Sequence, residues 1–161
     1  MEYINYYNSP LGIIVLKSDG KTLTGLSLKK QNQKCPAEAN ELKVFYETKK
    51  WLDVYFSGKE PSFMPEMKLS GTPFQISVYK LLQTIPYGET MTYGEIADII
   101  AKQKGIKKMS AQAIGGAVKK NNIMILIPCH RVIGASRNLV GYSGGGIENK
   151  IKLLKLEGIN F

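Results

Sequence analysis

The sequence predicts two unlike units in tandem: an N-terminal α/β unit, made of a short antiparallel sheet plus a helix, followed by a mostly α C-terminal domain built on a helix-turn-helix. Three observations carry that reading. Residues 3–28 fall into short apolar runs separated by turn residues. Residues 40–56 repeat their apolar positions at helical spacing. From Thr72 onward, helix-starting residues stand before one apolar stretch after another.

Taken in order, Tyr3–Tyr7, Gly12–Leu16 and Leu23–Leu28 read as antiparallel strands, divided by Asn8-Ser9-Pro10 and by Ser18-Asp19-Gly20-Lys21, which carry turn chemistry. From Asn40 to about Phe56, Leu42, Phe45, Tyr46, Trp51, Leu52, Tyr55 and Phe56 mark one helix, ended by Ser57-Gly58-Lys59. The Pro-punctuated stretch 58–71 reads as a linker, which gives an N-terminal α/β domain over 1–57 and a C-terminal domain over 72–161. There, Thr72-Pro73 supplies an N-cap and a proline at the first helical position of a helix running to about Thr84, with Phe74, Val78, Leu81 and Leu82 inward. Pro86-Tyr87-Gly88 is a turn. Thr92 and Glu95 fit a capping box for a short helix through Ile96, Ile99 and Ile100, followed by a basic loop, Lys102 to Lys108. Ser110 caps a further helix, Ala111 to about Lys120, and the two form the candidate helix-turn-helix. Ile123–Ile127 reads as a buried extended segment and Ile147–Glu157 as the last helix.

Composition narrows the function classes. The chain of 161 residues is 43% hydrophobic, as a folded core requires. It has no apolar run of the roughly 18 residues that cross a bilayer, so no membrane partner is expected. Its N-terminus lacks the basic and apolar regions of a signal peptide, and two cysteines make no disulfide framework; a reducing, cytoplasmic setting is expected. The net charge of +9 is uneven. Residues 1–70 hold ten basic and eight acidic side chains, whereas residues 71–161 hold twelve and five. A basic C-terminal half suits a polyanion, because each neutralised phosphate releases condensed counterions, and it equally suits a merely soluble surface.

The chemistry concentrates where the apolar run stops, at Pro128-Cys129-His130-Arg131. A thiolate is a soft, strong nucleophile, but an ordinary thiol with a pKa of about 8.5 is mostly protonated near neutrality. His130 is the only histidine and the natural base. Neighbours in an extended chain face opposite ways, so a direct contact between Cys129 and His130 needs a turn or a bridging water. A carboxylate behind the imidazole would complete a Cys-His-acid relay. These residues alone leave open an inert buried thiol. One histidine and two distant cysteines cannot supply the spacing of a zinc site, so no metal and no cofactor are expected, and Cys35 reads as incidental.

The run Ile125 to Val132, followed by Gly141-Tyr142-Ser143-Gly144-Gly145, closely resembles the O6-alkylguanine-DNA alkyltransferases, also called methylated-DNA–protein-cysteine methyltransferases. The resemblance takes in Gly71–Gln75, Ile85–Thr90, Tyr93–Ala97 and Ala113–Ala117, and covers residues 71–158. It implies a winged-helix-like form of the helix-turn-helix and a single-turnover reaction. In that reaction the damaged base is flipped out of the duplex and its O6-alkyl group moves irreversibly to Cys129. The resemblance makes His130 the base, Glu157 the acid that orients it, Tyr93 the residue that helps displace the nucleotide and protonate the departing guanine, and Asn121 the tie between recognition helix and reactive loop. It makes Val132, Tyr142, Ser143 and Gly144 the base pocket. Ala111, Gln112, Ala113, Gly115, Lys119 and Arg131 become contacts to double-stranded DNA entered from the minor groove, where small residues permit close approach. O4-alkylthymine is a second candidate substrate, and a monomer is expected.

The sequence departs from the family pattern at three places. Gln112 stands where well-known members carry an intercalating arginine; Asn121-Asn122 replaces Asn-Pro; and Gly144-Gly145-Gly146 adds one residue before the last helix. Placing that gap decides whether Glu157 or Leu156 falls at the acid's position. Two other functions compete. An alkyltransferase-like lesion binder would lack the cysteine. A helix-turn-helix regulator would need base-reading polar side chains where this helix offers alanine and glycine. A third, a Cys-His hydrolase, would need an oxyanion hole and would turn over.

Overall fold

The structure is a computed structural model that describes residues 1–32, 39–139 and 146–160. Its contacts fall into two units, Met1–Leu69 with Asn122–Met124, and Ser70–Asn121 with Ile125–Phe161. The first is α/β and the second mostly α, as the sequence predicts.

In the first unit, β1 (Tyr3–Ser9), β2 (Gly12–Ser18) and β3 (Leu23–Leu28) form an antiparallel sheet in that order. Ser9 pairs with Gly12 across a tight hairpin, and Asp19 Oδ1 closes the next turn by accepting the N–H groups of Lys21 and Thr22 at 3.0 and 2.7 Å. Helix α1 (Lys43–Phe56) lies against all of these strands and buries Val44, Phe45, Thr48, Trp51, Leu52 and Tyr55. It starts three residues later than its apolar spacing suggests, because Asn40 is fastened to β1. The Asn40 N–H donates to the Ile4 carbonyl at 2.9 Å, its Oδ1 accepts the Ile4 N–H at 3.0 Å, and its carbonyl accepts Asn5 Nδ2 at 2.7 Å. Tyr46 faces solvent; Val44 and Thr48 complete the inward stripe instead. Residues 66–68, within the stretch that reads as a linker, bond along β3 through Leu23, and Asn122–Met124 bond to Leu26 of the same strand.

In the second unit, α2 (Pro73–Leu82), α3 (Tyr93–Lys104) and α4 (Ala111–Lys119) pack on one another. Their shared core includes Val78, Tyr79, Leu82, Ile96, Ile100, Ile114 and Ala117, each aliphatic side chain of valine size or larger contributing about 1.5–3 kcal/mol on burial. The helix starts obey the sequence. Thr72 with Gln75, and Thr92 with Glu95, form reciprocal capping boxes, and Ser110 Oγ accepts the N–H groups of Gln112 and Ala113 at 3.1 and 3.3 Å. Gly71, at a φ of +141°, fits beside the first box because a Cβ there would meet Gln75 Oε1 at 2.5 Å. Helix α3 outruns its prediction and takes in Lys102 to Lys104 of the expected loop; Gly105, left-handed at φ 68°, ends it. A short parallel pairing, unmarked by any pattern in the sequence, joins β4 (Met91–Thr92) to β5 (Val132–Ile133). Helix α5 spans Gly146–Leu156.

The apolar run Ile123–Ile127 is buried throughout but is not one strand. It turns at Ile125, whose φ of 71° is a left-handed conformation that β-branched residues rarely adopt. Hydrogen bonding explains the break. Met124 N–H is held by the Leu26 carbonyl at 2.9 Å, while the Ile127 carbonyl is held by Asn121 Nδ2 at 3.1 Å, so the chain reverses between two fixed points.

Candidate active site

Immediately after that reversal, Cys129–Arg131 winds into a single 3₁₀ turn, with Cys129 N–H on the Ile127 carbonyl at 2.7 Å and Arg131 N–H on the Pro128 carbonyl at 3.0 Å. This turn removes the opposite-facing geometry of an extended Cys-His pair. Cys129 is 2% exposed and its Sγ accepts a hydrogen bond from Asn121 Nδ2 at 3.2 Å. The same amide holds the Ile127 carbonyl, so one side chain just beyond α4 fixes both the reactive loop and the sulfur.

His130 is entirely buried, and its Nε2 lies 2.6 Å from Glu157 Oε2. The other oxygen, Oε1, accepts Arg131 Nε at 2.8 Å and the Gly88 N–H at 3.0 Å. Burial acts to raise the Glu157 carboxyl, but the hydrogen bond from His130, the nearby charges and the Gly88 donor override it and hold the pKa at about 2. Burial likewise dominates at His130 and lowers it, against the pull of Glu157, so the imidazole is neutral and its Nε2–H donates to an ionised carboxylate. Glu157, one residue past α5, thus stands behind His130. Leu156 presents its carbonyl to the Tyr87 hydroxyl at 3.4 Å.

Tyr93 opens α3. Burial first, and the charge that Cys129 can carry second, push its hydroxyl above the usual value, which keeps it a proton donor. Its ring lies 3.8 Å from where a Cβ on Gly115 would stand, so the glycine of α4 allows that approach. Tyr93, Ala111, Gln112, Gly115 and Lys119 all line one open groove of about 970 Å³, together with Gly134 and Ala135 beyond β5. Ala113 is exposed on α4 outside that lining, and Val132 is buried in β5. Tyr142, Ser143 and Gly144, as well as Cys35, lie outside the described residues. Arg131 corrects the sequence reading. Only 9% exposed, it points inward to Glu157 and to the Ile85 carbonyl, at 2.7 Å from Nη1, and offers no surface cation to a phosphate. Among the described residues no group of three or more His, Cys, Asp or Glu side chains could hold a metal ion, and no helix is long and apolar enough to cross a membrane.

The comparisons with known proteins agree in both halves of the chain. Residues 3–68 match the family model for the 6-O-methylguanine DNA methyltransferase ribonuclease-like domain, and residues 73–159 match the model for the DNA binding domain of the same proteins. The chain belongs to the 6-O-methylguanine DNA methyltransferase family. A methylated-DNA–protein-cysteine methyltransferase of Mycobacterium leprae is 43% identical over 153 residues, 93% of this chain and 88% of the relative. Its counterpart in Methanosarcina barkeri is 44% identical over 158 residues, 96% of each chain. The solved structure of Mycobacterium tuberculosis OGT in complex with DNA is similar at a TM-score of 0.81 and 43% identity, over 96% of this chain and 91% of that one.

Within this methyltransferase, sequence reasoning missed Lys150. Its side chain is 1% exposed, its Nζ donates to the Val132 carbonyl, and burial brings its pKa down to about 8 against the smaller opposing pull of Cys129. A signal was present: Lys150, Leu153 and Leu154 fall at i, i+3 and i+4 on the inward face of α5, with Glu157 at i+7 just past its end, and all are buried. The main-chain contributions of Gly88 and Ile85 carried no signal, because any residue type supplies them.

Proposed function

We propose that this protein repairs DNA by moving the alkyl group of O6-alkylguanine onto Cys129, once per molecule. The observation that carries the reading is the pairing of a sulfur held by Asn121 with a neutral, carboxylate-backed His130 in a single turn. In this reading the thiol proton passes through a water to His130, and Glu157 balances the imidazolium that forms. Sγ attacks the alkyl carbon, the bond from that carbon to O6 breaks, and its electron pair leaves with guanine, which takes a proton from Tyr93. The product is a thioether, which unlike an acyl thioester has no hydrolytic exit.

Double-stranded DNA is the partner, entered from the minor groove by α4, whose exposed Ala111, Ala113 and Gly116 let the backbone come close. The lesion leaves the stack for the pocket near Val132, Tyr142, Ser143 and Gly144. Lys119 supplies a phosphate contact and Gln112 fills the space of the flipped base. The protein works as a monomer in the cytoplasm, with alkyl transfer in residues 72–161 and a separate α/β domain in residues 1–57. The presence of Cys129 argues against a binder that leaves the lesion intact. Intact-protein mass spectrometry after incubation with O6-methylguanine duplex tests the reading. One methyl gained per protein, mapped to the Cys129 peptide and absent in Cys129→Ala, is expected; an unchanged wild-type mass refutes it.

A further inference from the structure

Arg131 lies beside the catalytic pair in sequence, yet its guanidinium turns away from the surface. Its Nε donates to Glu157 Oε1 at 2.8 Å, its Nη1 donates to the Ile85 carbonyl at 2.7 Å, and its central carbon sits 5.8 Å from the centre of the Tyr87 ring. Each contact constrains a different freedom. The Ile85 carbonyl fixes where the guanidinium lies, the ring limits its tilt, and Nε then reaches one carboxylate oxygen. The Gly88 N–H takes that same oxygen at 3.0 Å. With Oε1 held from two sides, the plane of the carboxylate is set, and Oε2 faces His130 Nε2 at 2.6 Å.

We propose that Arg131 is a positioning residue of the alkyl-transfer relay, holding the Glu157 carboxylate against His130, and that it does not contact DNA. The inference rests on the alkyl-transfer reading above. A carboxyl as buried as Glu157 takes up a proton unless a cation and hydrogen-bond donors oppose it. A protonated Glu157 could neither accept the Nε2–H nor balance the imidazolium formed when His130 receives the thiol proton. The groups facing the carboxylate are His130 and Arg131 from the 3₁₀ turn and the Gly88 N–H from the segment before β4. Lys150 on α5 adds a positive charge that acts on His130. Arg131 is the cation among them that bonds to the carboxylate directly.

Arg131→Gln and Arg131→Lys test this in the full chain. Single-turnover methyl transfer from O6-methylguanine duplex at saturating protein is measured across pH, beside affinity for undamaged duplex. Arg131→Gln is expected to slow transfer at least roughly ten-fold, to move the acidic limb of the rate profile to higher pH and to leave duplex affinity unchanged. Arg131→Lys recovers part of the rate, since it restores charge without the fork. A loss of duplex affinity with an unchanged saturating rate would assign Arg131 to DNA and overturn the proposal, and so would a slowed variant whose pH profile does not move. A wild-type protein that takes no methyl on Cys129 marks failure of the alkyl-transfer reading itself. Because His130 is the only histidine, its imidazole nitrogen resonances are unambiguous, and the milder Arg131→Lys variant can be compared with wild type by them even if Arg131→Gln does not fold. An Nε2–H resonance displaced in Arg131→Lys relative to wild type is expected, whereas an unchanged resonance overturns the proposal.

Discussion

Lys150 shows how one buried group writes itself into the stability of the whole domain. Burial lowers its pKa from 10.5 to about 8. Below pH 8 the ammonium is charged in both folded and unfolded chains, and the penalty of burying it is fully present. Between those two values the unfolded chain binds more proton, so stability rises with pH, and above them the penalty is gone. Comparing urea unfolding of wild type and Lys150→Met at about pH 7 and about pH 10 isolates this group. The wild type should gain on the order of 2–3 kcal/mol relative to the variant over that interval. A constant difference would contradict the buried charge. The neighbouring residues were legible to different degrees. Cys129 and His130 announce themselves by type and by their place after an apolar run. The turn that reconciles their directions does not, because it depends on Ile125 taking a left-handed backbone that its side chain disfavours.

At the scale of elements, helix beginnings were easier to read than helix ends or strands. Thr72, Thr92 and Ser110 cap their helices through bonds reaching only two or three residues ahead, so the sequence contains all the partners. The start of α1 depends on Asn40 meeting Ile4, thirty-six residues away, and the break in the Ile123–Ile127 run depends on Leu26 and Asn121. Gln112 is exposed at the start of helix α4 and lines the groove that holds Tyr93 and Gly115. A glutamine lacks the charge and planar fork of arginine, so Gln112→Arg should raise transfer from duplex DNA roughly several-fold. Transfer from the free methylated base should not change. Equal effects on both substrates, or none on either, would remove Gln112 from the delivery of the base.

For the molecule as a whole, the +9 charge and its concentration after residue 70 predict binding to duplex that is largely independent of sequence and weakened by salt. If four to five phosphates are neutralised, the logarithm of affinity should fall against the logarithm of salt concentration with a slope of about −4, measured by titration with undamaged duplex. A slope near zero would mean the basic half is no more than a soluble surface. Residue type and short-range spacing suffice to read the division into a sheet-bearing and a helical half, the helix caps, and the Cys129-His130 pair at the end of an apolar run. The fold alone brings Glu157 against His130, buries Lys150, and turns Arg131 inward to Glu157 and the Ile85 carbonyl. Those outcomes depend on which distant backbone carbonyls and N–H groups, at Ile85, Gly88 and Val132, come within hydrogen-bond reach, and main-chain groups leave no mark in a sequence.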